Sequence, residues 1–414
     1  MRILLACVCL LFAGALSAQP GAARASTVDD VKGLPEDTEA VNLTRTSDDA
    51  LAALSRLKKL KTIYVTGFGS TVTDEGVKSL GEIATLEVVS LMHCDKLTDA
   101  CVANLAKLNE LNSLLLEGND NFTDAGLKPL AKLPKLRELT ISFCTLLTGS
   151  FFADFAPDAP LAIVHATMCG QMTTRAYQAL GKLAGIERLD IAGSVPTPEG
   201  VKALVALKKL KTLTISGRSF DDACLEQVSN MPALEELRLG DSKATDAGGR
   251  SIGRIKTLKN LFMGFTKLGD GTLEGLKGHP ALEVLFASQS QVTAEGLVHL
   301  KSMPKLIDVG LGGVAVGLAG ATALAQCKGL QKLNLHGAAI GDDALIELLA
   351  LKSLTRLDVS HNDISDDGAA KLAALTALEN LDLGQCKQIT SKSVDVLQKA
   401  LPKLRISWDK PRGG

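Results

Sequence analysis

The sequence predicts an α/β solenoid in which short parallel strands alternate with short helices. The main observation is an apolar L-x-x-L-x-L start that recurs every 24–26 residues over most of the 414-residue chain. Turn residues and an apolar run suited to a short helix follow each start. Units of this length cannot bury their own apolar faces, so they stack on their neighbours along the chain.

One repeat, residues 354–377, shows how the unit is built. Leu354, Leu357 and Val359 have the spacing of a strand with one buried face. Ser365 is suited to cap a helix, because its hydroxyl can accept a hydrogen bond from an early backbone N–H. The two aspartates that follow suit the positive end of the helix dipole. The unit is therefore predicted to be a strand, a tight turn and a short helix.

The repeat starts divide the chain into four segments. We predict a signal peptide at residues 1–25, a leader with an N-terminal cap repeat at 26–59, repeats at 60–403, and a C-terminal cap strand with a tail at 404–414. The starts themselves are Leu60, Leu86, Leu111, Leu136, Leu161, Ile186, Leu210, Leu234, Leu258, Leu282, Leu306, Leu330, Leu354, Leu378 and Leu404.

The first 25 residues have the pattern of a secretory signal. Arg2 precedes an apolar run at residues 3–16 that is too short to span a bilayer. Small residues follow, with Ala18 or the triplet at 23–25 as candidate cleavage sites. We expect a secreted, periplasmic or cell-envelope protein without stable membrane insertion once the signal is removed. A retained anchor is the alternative.

Charge and composition restrict the partners. The 45 lysines and arginines nearly balance the 46 aspartates and glutamates, so no global basic field attracts nucleic acid. Aromatic residues make up only 3% of the chain, which disfavours a surface for stacking nucleobases. No nucleophile elbow, H-E-x-x-H, dinucleotide fingerprint or P-loop is found in the sequence. We expect no cofactor and no enzymatic activity.

The cysteines follow the repeat. Two of the nine lie in the predicted signal, and four share the slot eight residues after the first leucine, where sister repeats have asparagine. That slot turns the chain off the strand and needs a small group that can satisfy buried backbone. We therefore predict buried structural thiols, with a zinc site as the alternative. The slot contains Cys94, Asn119, Cys144, Cys169, Asn362 and Cys386.

Residues 148–160 break the pattern, because three phenylalanines and two prolines replace a regular turn and helix. We predict that Phe151, Phe152 and Phe155 fill a widened gap in the core. An exposed docking loop is the alternative.

The consensus L-x-x-L-x-L-x-x-C/N-x-x-I/L-T-D-x-G-L, clearest at residues 86–102 and 378–394, resembles the cysteine-containing leucine-rich repeats of F-box and ribonuclease-inhibitor-like proteins. The resemblance covers residues 38–408. It implies a horseshoe whose parallel strands line a concave face and whose short helices cover the convex face. It also implies that the concave face holds a protein partner.

One outward column of the strands contains a candidate partner site. The residue between the last two strand leucines points away from the core, and its equivalents stack about 4.8 Å apart. In this column Arg238, Phe262 and Phe286 follow one another, and Phe265 lies at the nearby rim. Aromatic residues and arginine are enriched in interface hot spots. We predict partner binding here; incidental surface phenylalanines or burial by a neighbouring loop are the alternatives.

A second group in the same column is acidic. Asn334, Asp358 and Asp382 follow one another, with His336 and His361 alongside. Two carboxylates on neighbouring strands would lie near the 5–5.5 Å separation, roughly, that retaining glycosidases use. The row could also bind calcium, a basic protein surface or only water.

Together these observations predict a monomeric, non-catalytic, exported scaffold that binds a protein, or alternatively a glycan, on its concave face. One alternative is an intracellular substrate-recognition module of a ubiquitin ligase, which requires that residues 1–25 are not a signal. The other is a carbohydrate-active enzyme that uses Asp358 and Asp382.

Overall fold

The computed structural model describes residues 21–409, which divide into two compact units. Unit 1 contains residues 21–186 and unit 2 contains residues 187–409. In each unit, parallel strands pair in register with the next strand along the chain, and helices or turns connect them.

Seven strands and six α-helices are described in unit 1. The strands are β1 Ala23–Ala25, β2 Ala40–Thr44, β3 Thr62–Thr66, β4 Val88–Met92, β5 Ser113–Leu115, β6 Glu138–Thr140 and β7 Ile163–His165. The helices are α1 Val28–Gly33, α2 Asp48–Ala53, α3 Asp74–Leu80, α4 Asp99–Leu105, α5 Asp124–Leu127 and α6 Thr174–Leu180, with 3₁₀ helices at Leu54–Arg56, Lys128–Lys132 and Ser150–Asp154.

Unit 2 continues the alternation with ten described strands and nine α-helices. The strands are β8 Arg188–Asp190, β9 Thr212–Ser216, β10 Glu236–Gly240, β11 Asn260–Phe262, β12 Val284–Phe286, β13 Asp308–Gly310, β14 Lys332–Asn334, β15 Arg356–Asp358, β16 Asn380–Asp382 and β17 Arg405–Ser407. The helices are α7 Pro198–Leu204, α8 Asp222–Val228, α9 Asp246–Gly249, α10 Asp270–Gly275, α11 Ala294–Leu297, α12 Gly317–Leu324, α13 Asp342–Leu348, α14 Asp366–Ala370 and α15 Ser391–Ala400, with 3₁₀ helices at Arg250–Arg254, Leu300–Ser302 and Lys371–Ala374.

The predicted strand–turn–helix unit and its repeat are confirmed. In β10 to β12 the central strand leucines Leu237, Leu261 and Leu285 pair in register and are fully buried. The leucine at each repeat start is buried as well, so the core of each unit is a continuous stack of leucines between the strands and the helices.

A carboxylate at the start of nine of the described helices links one repeat to the next. Asp99 accepts the backbone N–H of Thr123 at 2.8 Å and its hydroxyl at 2.6 Å, while the Thr123 hydroxyl caps its own helix by accepting from Gly126. The sequence explains these acids by the helix dipole alone, and the structure adds this second role. The same pairing joins Asp48 to Thr73, Asp74 to Thr98, Asp124 to Thr148, Asp222 to Thr245, Asp270 to Thr293, Asp342 to Ser365 and Asp366 to Thr390.

This contact explains the glycine that recurs in the first helical turn. A Cβ on Gly126 would lie 1.9 Å from Asp99 Cγ, and one on Gly368 would lie 1.9 Å from Asp342 Oδ1. The helix Asp342–Leu348 has no side-chain cap. Gly341 is at the N-cap, and Asp342 accepts from Ser365 of the following repeat instead.

The cysteine slot serves the backbone, as predicted. Cys144 Sγ lies 3.1 Å from the Leu116 carbonyl oxygen of the preceding repeat, and Asn362 Nδ2 donates to the equivalent Leu335 carbonyl at 2.8 Å. Burial raises the pKa of the Cys144 thiol to about 12, so the thiolate is not its ordinary form. All seven cysteines among residues 21–409 are buried and unpaired.

The three phenylalanines of the irregular repeat fill the core, as predicted. Phe151 and Phe152 are fully buried and Phe155 nearly so. The ring centroids of Phe151 and Phe152 are 4.2 Å apart, and Phe155 lies 6.3 Å from each of them. A 3₁₀ helix at Ser150–Asp154 replaces the α-helix of the other repeats.

Most of the predicted signal segment lies outside the described residues, as does the tail after Asp409. Of residues 1–25, the structure places Ala23–Ala25 in β1, which pairs with Val41–Leu43 in register, and it buries Ala25. Where the signal is cleaved stays a prediction. None of the helices between residues 21 and 409 has the length and apolar content needed to cross a bilayer.

Asp246 offers the strongest test of the carboxylate link. It accepts the N–H groups of Gly269, Gly271 and Thr272 and the Thr272 hydroxyl. We expect Asp246→Ala to lower the free energy of unfolding in urea by about 2–3 kcal/mol, because several part-buried donors lose a charged acceptor. Asp246→Asn keeps one acceptor oxygen and should lose less. Asp367→Ala, whose side chain is 87% exposed, should stay within about 0.5 kcal/mol of the parent. Equal losses for the two alanine variants would contradict the link.

The carboxylate link also predicts an acid-sensitive last repeat. Burial raises the pKa of Asp366, but hydrogen bonds from Ser393 and Thr390 outweigh it and hold the pKa at about 2, below the ordinary 3.8. Because the folded pKa is depressed, this stabilisation is complete above about pH 4 and is lost as the pH falls toward 2. We expect the protection factors of the α15 amides against hydrogen exchange to fall over that interval, and Asp366→Asn to flatten the dependence. An unchanged slope in the variant would count against the assignment.

Candidate functional site

The strands of unit 2 have one face directed away from the core, which we call the open face. In β10 Leu237 and Leu239 are buried on the helix side, whereas Glu236, Arg238 and Gly240 alternate onto the other side and are partly exposed. This alternation is the ordinary two-residue period of a strand. The open face is therefore lined by side chains that the core does not require.

The central column of the open face has the register that the sequence predicts. Each residue pairs with its equivalent on the next strand, so neighbours along the column are separated by one strand spacing. The column runs through Arg238, Phe262, Phe286, Gly310, Asn334, Asp358 and Asp382.

Arg238, Phe262 and Phe286 form a stacked set that we call the aromatic ladder. The Arg238 guanidinium carbon lies 3.9 Å from the centroid of the Phe262 ring. The Phe262 and Phe286 rings are stacked, with centroids 5.4 Å apart and an interplanar angle of 21°. Glu236 orients the arginine through a contact of 2.6 Å to its Nε. All three side chains of the ladder stay half-buried, so they present a preorganised apolar and cationic surface.

Gly310 makes room for the end of the ladder. A Cβ at this position would lie 2.5 Å from Cδ1 of Phe286, so the ring leans over the neighbouring strand. The glycine-rich stretch that begins here therefore has a specific role at its first position. It lets an aromatic ring lie on the open face beside a strand that contributes no side chain to the central column.

The predicted acidic row is a hydrogen-bonded network. Asp358 accepts from Asn334 Nδ2 at 3.0 Å, from the Ser360 hydroxyl at 2.6 Å and from the Ser360 N–H at 3.0 Å. Ser360 in turn lies 2.9 Å from Nδ1 of His336. Asp382 accepts the N–H of Gly384 through one oxygen only. Asp358 is thus largely occupied within the protein, and Asp382 is the carboxylate of this row that is more open to a ligand.

The residues around the acidic row give no support to its interpretation as a calcium site. His336 and His361 are exposed and contact each other, with ring centroids 4.5 Å apart. Between residues 21 and 409 no group of three or more His, Cys, Asp or Glu side chains is arranged to hold a metal ion. Arg356 on the same strand as Asp358 is exposed, so the row is flanked by positive charge.

The equivalent column of unit 1 offers less. Tyr64, Ser90, Leu115 and Thr140 occupy it in register and are buried, and only His165 at its end is half-buried. The expectation that this whole column faces solvent is therefore wrong for β3 to β6. Apart from His165, the partly exposed residues of this column from β3 onward lie in unit 2.

A feature that sequence reasoning missed is the left-handed residue that follows each strand from β4 to β16. It lies seven residues after the repeat's first leucine in thirteen consecutive repeats, and five of the thirteen are glycine. An L-residue in this conformation costs roughly 1–2 kcal/mol. In the sequence, the five glycines indicate this backbone conformation, but the larger residues at the other eight positions obscure the pattern. The residues are His93, Gly118, Phe143, Met168, Gly193, Gly217, Asp241, Phe265, Gln289, Gly313, Gly337, His361 and Gln385.

Phe265 occupies one of these left-handed positions. Its φ is 57° and its side chain is 55% exposed, three residues beyond Phe262. It thus lies at the edge of the open face where the strand ends, as the prediction of a rim position requires.

Comparison with known proteins agrees with the repeat architecture. A family model described as a leucine-rich repeat matches residues 350–373. An internalin from Listeria monocytogenes is similar in structure, with 16% identity, 86% of this chain and 88% of that chain covered, and a TM-score of 0.53. No curated protein matches the sequence.

The leucine-rich-repeat ectodomain of the plant membrane receptor kinase GASSHO1/SCHENGEN3 from Arabidopsis thaliana, in complex with CASPARIAN STRIP INTEGRITY FACTOR 2, also matches. The identity is 16% and the TM-score 0.45, over 90% of this chain and 52% of that chain, so this chain spans about half the length of the ectodomain. Residues 350–373 are one of a series of equivalent repeats, and the chain therefore has the leucine-rich repeat fold. Its assignment to the cysteine-containing subclass stays a prediction.

The aromatic ladder predicts a measurable energetic coupling. In a double-mutant cycle of Arg238→Ala and Phe262→Ala, we expect a coupling of about 0.5–1 kcal/mol in urea unfolding, because the guanidinium lies on the ring face. The pair Arg238→Ala and Ile346→Ala is the control, because Ile346 is exposed on a helix four repeats away, and it should couple by less than about 0.3 kcal/mol. Similar coupling in both cycles would show that the stacking geometry is not what joins them.

Proposed function

We propose that this protein is an exported, non-catalytic scaffold that binds a partner protein on the open face of unit 2. The observation that carries the proposal is the aromatic ladder of Arg238, Phe262 and Phe286. Partner contacts are expected from the ladder and Phe265, and secondarily from Asp358, Asp382 and His336. The leucine-rich repeat fold supports this, because it builds a long regular surface whose outward residues are free of core packing.

Several physical features favour a protein ligand at the ladder. Arginine and aromatic side chains that are fixed before binding contribute most to interface affinity, because little conformational freedom is lost on association. Two adjacent rings on a face that the core does not use also form an apolar patch of the kind that marks interaction sites. A glycan is the second ligand class. It would use the flat ring faces together with the Asn334 amide and the carboxylates of Asp358 and Asp382.

Export rests on the signal pattern of residues 1–25. We propose a secreted, periplasmic or cell-envelope location and a monomeric state. Mass spectrometry of the N-terminus of the protein purified from its source tests the location. A new N-terminus between residues 19 and 26 supports export. An intact N-terminus leaves the retained anchor and the intracellular ubiquitin-ligase module, which membrane fractionation of the source cells separates. Light scattering coupled to size exclusion tests the monomer.

The enzymatic alternative, with Asp358 and Asp382 as a catalytic pair, is tested by hydrolysis of polysaccharide substrates. We expect no turnover by the parent chain. Turnover that is lost in both Asp358→Asn and Asp382→Asn would replace the scaffold proposal.

Affinity capture from the source organism tests the binding site. We expect the parent chain to capture a protein and a variant with Arg238→Ala, Phe262→Ala and Phe286→Ala to capture at least tenfold less, because several hot-spot contacts are lost together. The affinity for the captured protein, once purified, should fall by about 2 kcal/mol or more.

A second triple variant controls for the loss of apolar surface. Val298, Leu318 and Ile346 are exposed apolar residues of unit 2 on or beside the helices, so their replacement by alanine should leave capture unchanged. Circular dichroism should show both triple variants folded. Capture that survives loss of the ladder but falls in Asp382→Asn would move the site to the acidic row. Capture reduced by both triple variants alike would remove the site from the open face.

A further inference from the structure

We propose that the partner segment recognised beside the aromatic ladder is an acidic peptide segment with apolar side chains, and that it binds where the strands of unit 2 end. The site consists of Phe265, Lys243 and Lys267, which we call the basic edge. This inference rests on the proposed function, because it names the chemistry of the partner at the same site.

Phe265 is an exposed phenylalanine at a backbone position that favours glycine. Five repeats place glycine at its left-handed position, which is the residue that this backbone conformation favours. Phe265 keeps a large apolar side chain there and exposes 55% of it to solvent. Neither the backbone nor the core explains the phenylalanine, and an exposed aromatic held on a rigid turn is suited to anchor a partner.

The neighbouring turns supply positive charge. Lys243 and Lys267 occupy equivalent positions on adjacent turns, each two residues beyond the left-handed residue, and both are exposed. Arg218 on the preceding turn is exposed as well. Among the described residues these three cations are in no ion pair, and Asp241 is the only acid within the three turns at 217–219, 241–243 and 265–267.

The carboxylates that follow these turns form no ion pair with the lysines. Asp222, Asp246 and Asp270 accept hydrogen bonds from the cap of the following repeat, as described above. The basic edge therefore exposes two lysine ammonium groups that are in no ion pair, beside an exposed aromatic ring. Charge complementarity then selects a partner that presents carboxylates on both sides of an apolar side chain.

The basic edge is continuous with the aromatic ladder. Lys243 follows Arg238 by five residues on one repeat, and Lys267 follows Phe262 by five residues on the next. A segment that stacks on Phe262 and Phe286 can thus extend over Phe265 onto the lysines. The chain's net charge of −1 provides no general attraction for anions, so the recognition is local.

The test is selection of peptides from a random dodecapeptide display library on the full-length chain. We expect the selected peptides to be enriched in aspartate and glutamate around leucine or an aromatic residue. Their affinity should weaken as the salt concentration rises, because exposed charge pairs are screened.

Defined variants locate the binding of the selected peptides. Phe265→Gly should lower the affinity at least tenfold while the melting temperature stays the same or rises, since glycine relieves the left-handed backbone. Lys243→Ala with Lys267→Ala should lower the affinity about tenfold and reduce its salt dependence. Two controls should stay within twofold of the parent. Gln289→Gly changes the equivalent left-handed residue of the next repeat, and Lys301→Ala with Lys371→Ala removes two exposed lysines elsewhere in unit 2.

The peptide experiments can fail while the affinity capture of a partner protein succeeds, so the two proposals are tested separately. Peptides that lack acidic enrichment, peptides that bind Phe265→Gly as well as the parent, or no selected peptides at all would overturn the basic edge. If capture of the partner protein still depends on the ladder in any of those cases, the proposed function stands. Equal or stronger binding of the parent to phosphatidylserine vesicles than to the peptides would assign the charge to a membrane surface and also overturn the inference.

Discussion

In nine of the described repeats, a carboxylate in the first turn of the helix accepts hydrogen bonds from the start of the following repeat's helix, and this contact fixes the spacing of those repeats. Asp99 and Thr123 show the arrangement, in which one threonine donates to the preceding repeat and caps its own helix. The contact fixes each helix start relative to its neighbour. Because the chain reaches the same geometry every 24–26 residues, the strands on the other side of each repeat are held in register.

Other buried positions reinforce the same spacing. The cysteine or asparagine slot reaches back to a carbonyl of the preceding repeat, as Cys144 and Asn362 show. The strand leucines and the apolar helix residues fill the space between these polar contacts. Stacking is thus maintained by the core, by the slot and by the helix caps. None of these contacts uses the open face of the strands, so the fold places little restriction on the residues found there.

The sequence was sufficient for the repeat, the strand register and the central column, because apolar periodicity reports directly on burial. It was not sufficient for the link between Asp99 and Thr123, since each residue alone has a local explanation as a first-turn acid or a cap. Nor could it show that Arg238 lies on the ring of Phe262, because the register places two side chains side by side without fixing their rotamers. The burial of Tyr64 and Leu115 in unit 1 was missed for a related reason. Alternation identifies a face of the sheet and does not say whether that face is open.

The two ends of the column in unit 2 differ in what they can offer a partner. Asp358 already accepts three hydrogen bonds from Asn334 and Ser360, so a ligand would have to compete with groups that are satisfied within the protein. The ladder is different, since stacking orders Phe262 and Phe286 before any ligand arrives, and burying their remaining surface adds favourable free energy without breaking a hydrogen bond. If the open face binds a partner as we propose, affinity should therefore concentrate at the ladder, and the acidic row should act on orientation and selectivity.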